Sequence, residues 1–586
     1  MAQGHQKMQL HWSPPSQRHI DIEGMDRTLR MLRFHIHNEA FHWLHQAQLQ
    51  DSGAIYSRHP IESHNSNLVA AWSLLLLYFW RYSSIPPWLR GTLLRNGPGL
   101  FSVGNTSYKH WFDGMALIHS FTFKDGDVFY RSKFLNSETY KKNIAANRII
   151  VSEFGTMVHP DPCKNIFSKA FSYFMNAIPD FTDNNLINII RYGEDYYASS
   201  EVNYINQIDP LTLETLGRTN YRNHIAINLA TAHPHYDEEG TTYNMGTAIM
   251  NFGRPKYVIF KVPSNATDKE KKKPALRKVE LICSIPFHST LYPSYFHSFG
   301  MTENYIIFVE QAFKLDILKL ATAYFRDVNW GSCLKFDKDD ITLIHLVNKK
   351  TGKTVSTKYY ADAFVVFHHI NAYEEDGHVV FDLITYQDSN LYDMFYIHNM
   401  KQDVDKFIET NNEFSRPTCQ RFVLPLNIDK EAPPDTNLVK LQDTTATAVL
   451  KQDGSIYCTP DTIFEGLELP GINYKFNSKK YRYFYGTRVD WSPYPSKIAK
   501  VDIATRTHQV WIEEECYPSE PVFVASPDAV EEDEGVILSS VVSFNPQKPP
   551  FLVVLDAKSF KEIARATIDT AIHMDLHGLF IHDKST

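Results

Sequence analysis

Cysteine is scarce in this chain: six residues (Cys163, Cys283, Cys333, Cys419, Cys458 and Cys516) among 586, all far apart. That spacing builds neither a disulfide framework nor a zinc ribbon, and it fits a reducing, cytosolic compartment. Positive charge is not in excess either. The formal net charge is −8, which removes any global electrostatic case for nucleic acid. The one stretch that resembles a membrane segment is 68–80, with Leu74-Leu-Leu-Leu-Tyr-Phe-Trp80 inside it. It falls short of the roughly 20 apolar residues a spanning helix needs, so it reads as a buried or interfacial segment. Without a secretory signal, Asn265-Ala-Thr267 reads as a chance glycosylation match. No His-Glu-x-x-His or Cys-x-x-Cys pair supplies a local metal motif, and no feature points to an obligate protein partner.

What is present is strand grammar. Residues 117–123, 128–132, 257–262, 305–310, 341–347, 379–386, 536–542 and 551–556 are short, β-branched, aromatic runs separated by turn residues such as Asp125-Gly-Asp127. Continued over nearly the whole chain, they predict an all-β propeller or a very large sandwich. Helical patterns are few: 167–175, 316–325 and 390–398. Residues 1–84 differ. They hold nine of the 26 histidines without a ligand spacing and read as a peripheral or poorly ordered extension. Residues 85–586 read as the folded domain.

Four histidines have unusual contexts: His233 in Ala-Thr-Ala-His-Pro-His, His297 in Tyr-Phe-His-Ser-Phe-Gly, His368 in Val-Val-Phe-His-His-Ile, and His577 in Met-Asp-Leu-His-Gly. Neutral imidazole suits iron, zinc, copper and nickel. If these four meet, the whole fold must bring them together, and a propeller does so by sending one residue per blade to a common axis. Each also has a bland reading as an ordinary strand-edge or core histidine. His368 and its neighbour His369 point to opposite faces of a strand, so one of them at most faces an axis. Three glutamates, Glu201, Glu468 and Glu520, stand in apolar or turn contexts. They read as ordinary turn carboxylates or as acceptors for the second nitrogen of a metal-bound histidine.

Together these motifs resemble the carotenoid cleavage oxygenase family, over about 85–580. Leu94-Arg-Asn-Gly-Pro-Gly99, Pro160-Asp-Pro-Cys-Lys-Asn165, Phe367-His-His-Ile-Asn-Ala-Tyr-Glu-Glu375 and His573-Met-Asp-Leu-His-Gly-Leu-Phe580 place it in the animal branch. The resemblance implies a seven-bladed β-propeller with an axial non-haem Fe(2+) under a small helical cap. It further implies His233, His297, His368 and His577 as the iron ligands. Glu201 would then hold His297, Glu468 would hold His368, and Glu520 would hold His577. The implied activity is cleavage by O2 of β-carotene and related carotenoids, at the central 15,15′ double bond, to all-trans-retinal, the aldehyde of vitamin A. Eccentric 9′,10′ cleavage, retinyl ester isomerohydrolysis and carotenoid binding without turnover are the alternatives. A polyene substrate calls for an aromatic tunnel, for which Tyr295 and Tyr386 are candidates. The segment 165–178 is a candidate for peripheral membrane contact, and Cys163 for lipidation. The chain departs from the family before Ile85-Pro-Pro-Trp-Leu89, where the Leu-rich run and some eighty residues carry no resemblance.

Overall fold

The apolar runs lie in strands that are covered on both faces. All nine residues of the strand His378–Tyr386 are buried. Because side chains alternate across a strand, Val379, Phe381 and Leu383 enter one apolar cluster, whereas Val380, Ile384 and Tyr386 enter another. A sheet with two dry faces needs a neighbour on each side, and a ring of sheets provides both.

A computed structural model describes residues 85–158, 182–249, 254–266, 274–323, 326–411, 415–429, 431–488 and 496–583, with the backbone of 77–78. Seven sheets of four to six strands follow one another along the chain. Blade 1 spans 91–134 and is completed by His577–His582. Blade 2 spans 188–220, blade 3 spans 229–286, and blade 4 spans 300–362 with a return at 447–459. Blade 5 spans 365–425 with 461–465, blade 6 spans 467–512, and blade 7 spans 516–567. Seven large apolar clusters fill the seven seams between neighbouring blades. Each fully buried Leu, Val or Phe in a seam contributes about 1.5–3 kcal/mol. The expected propeller and the strands named from sequence are all found.

The helices differ from the sequence reading. The helix expected over 316–325 is the shorter Ile317–Thr322, with Asp316 capping Lys319 N. The one expected over 390–398 is two single turns, Leu391–Met394 and Ile397–Met400, parted by an extended Tyr396. Glu138–Ala145, capped by Ser137, and Val404–Asn411 were not anticipated, since each is short and polar. The expected helix over 167–175, Cys163 and the Leu-rich run apart from the backbone of 77–78 lie outside the described residues. That backbone pairs with the blade 1 strand Asp127–Phe134. Among the described residues no helix is long and apolar enough to cross a membrane. The five cysteines described are free and buried.

The ring is closed within blade 1, where Gly91–Leu100 pairs antiparallel with His577–His582 and Asn96 faces His577. At this seam a Cβ on Gly578 would stand 1.9 Å from the Leu94 carbonyl oxygen. Gly578→Ala must therefore spread the closing pair. The expected loss is about 1–3 kcal/mol or more, read as a lower denaturation midpoint. An unchanged midpoint would show that the seam yields.

Candidate metal centre

Backbone irregularities aim the histidines. In blade 3, Leu229–Ala230 and His235–Tyr236 both pair with Thr242–Ala248. The residues between them bulge, with Thr231 Oγ accepting from His233 N at 3.0 Å. In blade 5 the register slips between Val366 and His369 and again before Asn371, which frees His368 from the ladder. His369 turns the other way, with Nδ1 3.0 Å from Ser298 Oγ. In blade 6 a slip follows Glu468, and Leu469 takes φ of 51°. A non-glycine residue there carries strain, and Leu469 N uses the bend to donate to Glu468 Oε2 at 2.7 Å. Bulges re-aim side chains at functional sites in this way.

The result brings His233, His297, His368 and His577 together, with one ligand atom from each within 4.8 Å of all the others. Nε2 of His233 is 2.9 Å from Nε2 of His297, and Nε2 of His368 is 3.3 Å from Nε2 of His577. Behind three of them stand the three glutamates, paired as the resemblance implied. Glu201 contacts His297 Nδ1, Glu468 lies 2.6 Å from His368 Nδ1, and Glu520 lies 2.7 Å from His577 Nδ1. Six of the seven blades thus supply one of these residues each, and the seventh residue, His297, stands in the connection that leads into blade 4.

The protonation states follow. A carboxylate against Nδ1 fixes the proton there and leaves Nε2 with a lone pair. Burial, reinforced by the other imidazoles, holds His233 well below the usual histidine range. At His577 burial outweighs Glu520 and depresses the pKa, whereas at His368 Glu468 outweighs burial and raises it. Burial pushes against ionisation of Glu468 and Glu520, yet both end below the usual carboxylate range. The partner histidines hold them there, joined by Arg95 at Glu520 and by Leu469 N and Tyr386 at Glu468. One proton can bridge one facing pair of lone pairs, but a single cation serves all four, at bonds of roughly 2 Å. The residues fit a metal ion.

The glutamates are themselves held differently. Tyr295 donates to Glu201 Oε2 at 2.7 Å and receives Tyr392 Oη at 2.8 Å. Tyr386 donates to Glu468 Oε1 at 2.8 Å. Glu520 takes Arg95 Nη1 at 2.6 Å, and Arg95 Nε reaches Asp575 at 2.8 Å. Asp575 also accepts from Ser540 and lies 2.9 Å from His119 Nε2. Arg95, His119 and Asp575 are fully buried. Sequence reasoning missed this cluster, although a charge inside Leu93-Leu-Arg-Asn is the signal that could have shown it.

A cavity of about 300 Å³ opens beside the histidines, lined by Trp111, Phe112, Phe154, Tyr295, Phe367 and Tyr392 among others. Tyr295 stands in this wall. Tyr386 does not. It is 2% exposed and spends its hydroxyl on Glu468, behind the site rather than along the cavity.

A family model described as retinal pigment epithelial membrane protein matches residues 82–582. The chain belongs to this family, the carotenoid oxygenases. It is 59% identical to the β,β-carotene 15,15′-dioxygenase of Mus musculus, covering 85% of this chain and 88% of that one. Against the Gallus gallus protein of the same name it is 61% identical, with 85% and 94% covered. It is 43% identical to a mitochondrial carotenoid-cleaving dioxygenase of Macaca fascicularis, with 85% and 91% covered. The fold is similar to that of cobalt-substituted Synechocystis apocarotenoid oxygenase, at a TM-score of 0.67 and 22% identity over 86% of this chain and 96% of that one.

Glu520→Gln is expected to weaken metal binding about 10–100-fold, measured as metal content against free metal, and unchanged content would deny the glutamate a role. Arg95→Met leaves Asp575 and Glu520 buried without their cation. It should cost about 3–5 kcal/mol in a denaturation experiment. Because Glu468, Glu520 and Asp575 are held below their ordinary pKa, their contribution to stability is full at neutral pH. It is lost as pH falls below about 4, where the unfolded carboxylates take up protons first. A denaturation midpoint flat from neutral pH to strong acid would contradict this.

Proposed function

We propose that this protein is an iron(II)-dependent dioxygenase that cleaves β-carotene at the 15,15′ double bond, giving two molecules of all-trans-retinal. The observation that carries the reading is 59–61% identity to proteins named for that reaction over 85% of the chain, against 43% for the carotenoid-cleaving relative. His233, His297, His368 and His577 would hold the iron, and Glu201, Glu468 and Glu520 would fix the ring orientation of His297, His368 and His577. Bound iron(II) supplies the activation of O2. The chain supplies the rest. Aromatic walls exclude water, hold the polyene and offer π faces to any positive charge that develops along it. Tyr295, 2.7 Å from Glu201 and in the cavity wall, ties ligand orientation to substrate position.

We place the protein in the cytosol, with peripheral membrane contact through 165–178 and Cys163 for substrate entry. Residues 1–84 supply no metal ligand in this reading. A chain starting at Leu76 is expected to keep activity, because the compact unit runs from Leu76 to Thr586. Insoluble protein would overturn that.

Under ¹⁸O2, with aldehyde–water exchange suppressed, retinal is expected as the sole product from β-carotene, and both aldehydes should carry label. A longer apocarotenal would move the protein to eccentric cleavage. Retinol formed from retinyl ester without O2 would move it to isomerohydrolysis, and bound but unconverted carotenoid would make it a carrier.

A further inference from the structure

One carboxyl in the cavity wall has no place in the centre just described. Glu153 is 4% exposed and lines the cavity beside Phe154. Phe154 packs on Tyr392 with ring centroids 5.1 Å apart, and Tyr392 reaches the glutamate of His297 through Tyr295. Glu153 Oε1 has no hydrogen-bond partner. No Lys, Arg or His among the described residues forms an ion pair with Glu153.

Its neighbours also oppose a charge. Asp113 is already satisfied by Gly155 N at 2.7 Å, Thr156 Oγ at 2.6 Å and His110 N at 3.1 Å. Asp183 is satisfied by Glu138 N and Thr139 N, each at 2.9 Å. Burial first, and then these two carboxylates, push Glu153 well above the usual glutamate range against one hydrogen bond from Thr182. The surroundings therefore favour the neutral carboxylic acid over the carboxylate. A neutral carboxylic acid is a donor as well as an acceptor, and a buried polar group with an unmet oxygen is costly unless a ligand or a water completes it. A hydrocarbon polyene offers it nothing. The product of the cleavage does offer something, because each half leaves with a carbonyl oxygen.

The geometry points to Glu153 as a hydrogen-bond subsite for the carbonyl oxygen of a polyene aldehyde in the cavity. This rests on the reading of the cavity as the carotenoid site. The subsite would bind the aldehyde the enzyme forms, or one supplied from outside, and would discriminate both from an unoxidised polyene of equal length.

The test compares wild type with Glu153→Leu and Glu153→Gln. Retinal is added as an inhibitor of β-carotene turnover, and the ratio of its inhibition constant to the KM for β-carotene is measured. Loss of one buried hydrogen bond predicts a ratio about five- to tenfold higher in Glu153→Leu. Glu153→Gln, whose amide still donates, should largely restore it. If both constants move together, or neither moves, Glu153 only shapes the wall and the inference fails. Infrared difference spectra of wild-type protein with and without retinal give a second reading that needs no turnover and no stable Leu variant. A protonated-carboxyl stretch that shifts on adding retinal and is missing in Glu153→Gln supports the subsite, and a spectrum identical in the two proteins overturns it. Absence of β-carotene cleavage in wild type would instead sink the reading of the cavity, and the spectra would still decide the fate of Glu153.

Discussion

Four imidazole nitrogens that all present lone pairs to one point repel one another, and holding them there against that repulsion is the constraint on which this molecule is built. His233 and His297 approach to 2.9 Å and His368 and His577 to 3.3 Å. Nothing local could impose this, because the four come from four separate parts of the ring. The fold answers with a division of labour around the axis. Blades 1, 3 and 5 and the lead-in to blade 4 supply histidines, and blades 2, 6 and 7 supply the carboxylates that orient three of them. A carboxylate on Nδ1 fixes the tautomer of those three rings and makes their Nε2 a better electron-pair donor.

The three carboxylates are not equivalent. Two are steadied by phenols, Tyr295 at Glu201 and Tyr386 at Glu468, which share a proton but bring no charge. The third is steadied by a guanidinium, since Arg95 lies between Glu520 and Asp575. Tyr295 also stands in the cavity wall, so pressure from a bound polyene can reach His297 through Glu201. The Arg95 cluster lies on the opposite footing. It is sealed in the seam where the ring closes and ties His577 to the scaffold rather than to the substrate.

How much of this was legible beforehand can be traced residue by residue. The strands were legible because runs such as Val379-Val-Phe-Asp-Leu-Ile-Thr-Tyr386 are β-branched and aromatic, and seams between blades demand such runs. The histidine–glutamate pairing was legible only through resemblance, because no spacing relates Glu201 to His297 or Glu520 to His577 except the ring itself. The short helices were misjudged where tertiary contacts decide, as at Tyr396, whose extended backbone splits one expected helix in two. The aromatic ring of Tyr386 suggests a tunnel wall, but what determines its place is its hydroxyl, which finds a buried carboxylate. Arg95 sits within a family motif, which hides its meaning as a charge, although a guanidinium inside an apolar strand needs partners wherever it is found.

The closing seam has a consequence for the order of events during folding. Arg95 and Asp575 meet across 480 residues of sequence, and His577 begins the strand that completes blade 1. Blades 2 to 7 can pack on one another through largely local contacts, but the fourth histidine is anchored only when the first and last strands find each other. An open ring, however well packed, is short of one of the four histidines and of Arg95's grip on Glu520. Joining such distant segments is entropically slow, so tight metal binding reports that the circle is complete. A metal ion held by all four histidines would then distinguish finished molecules from chains whose ring is still open.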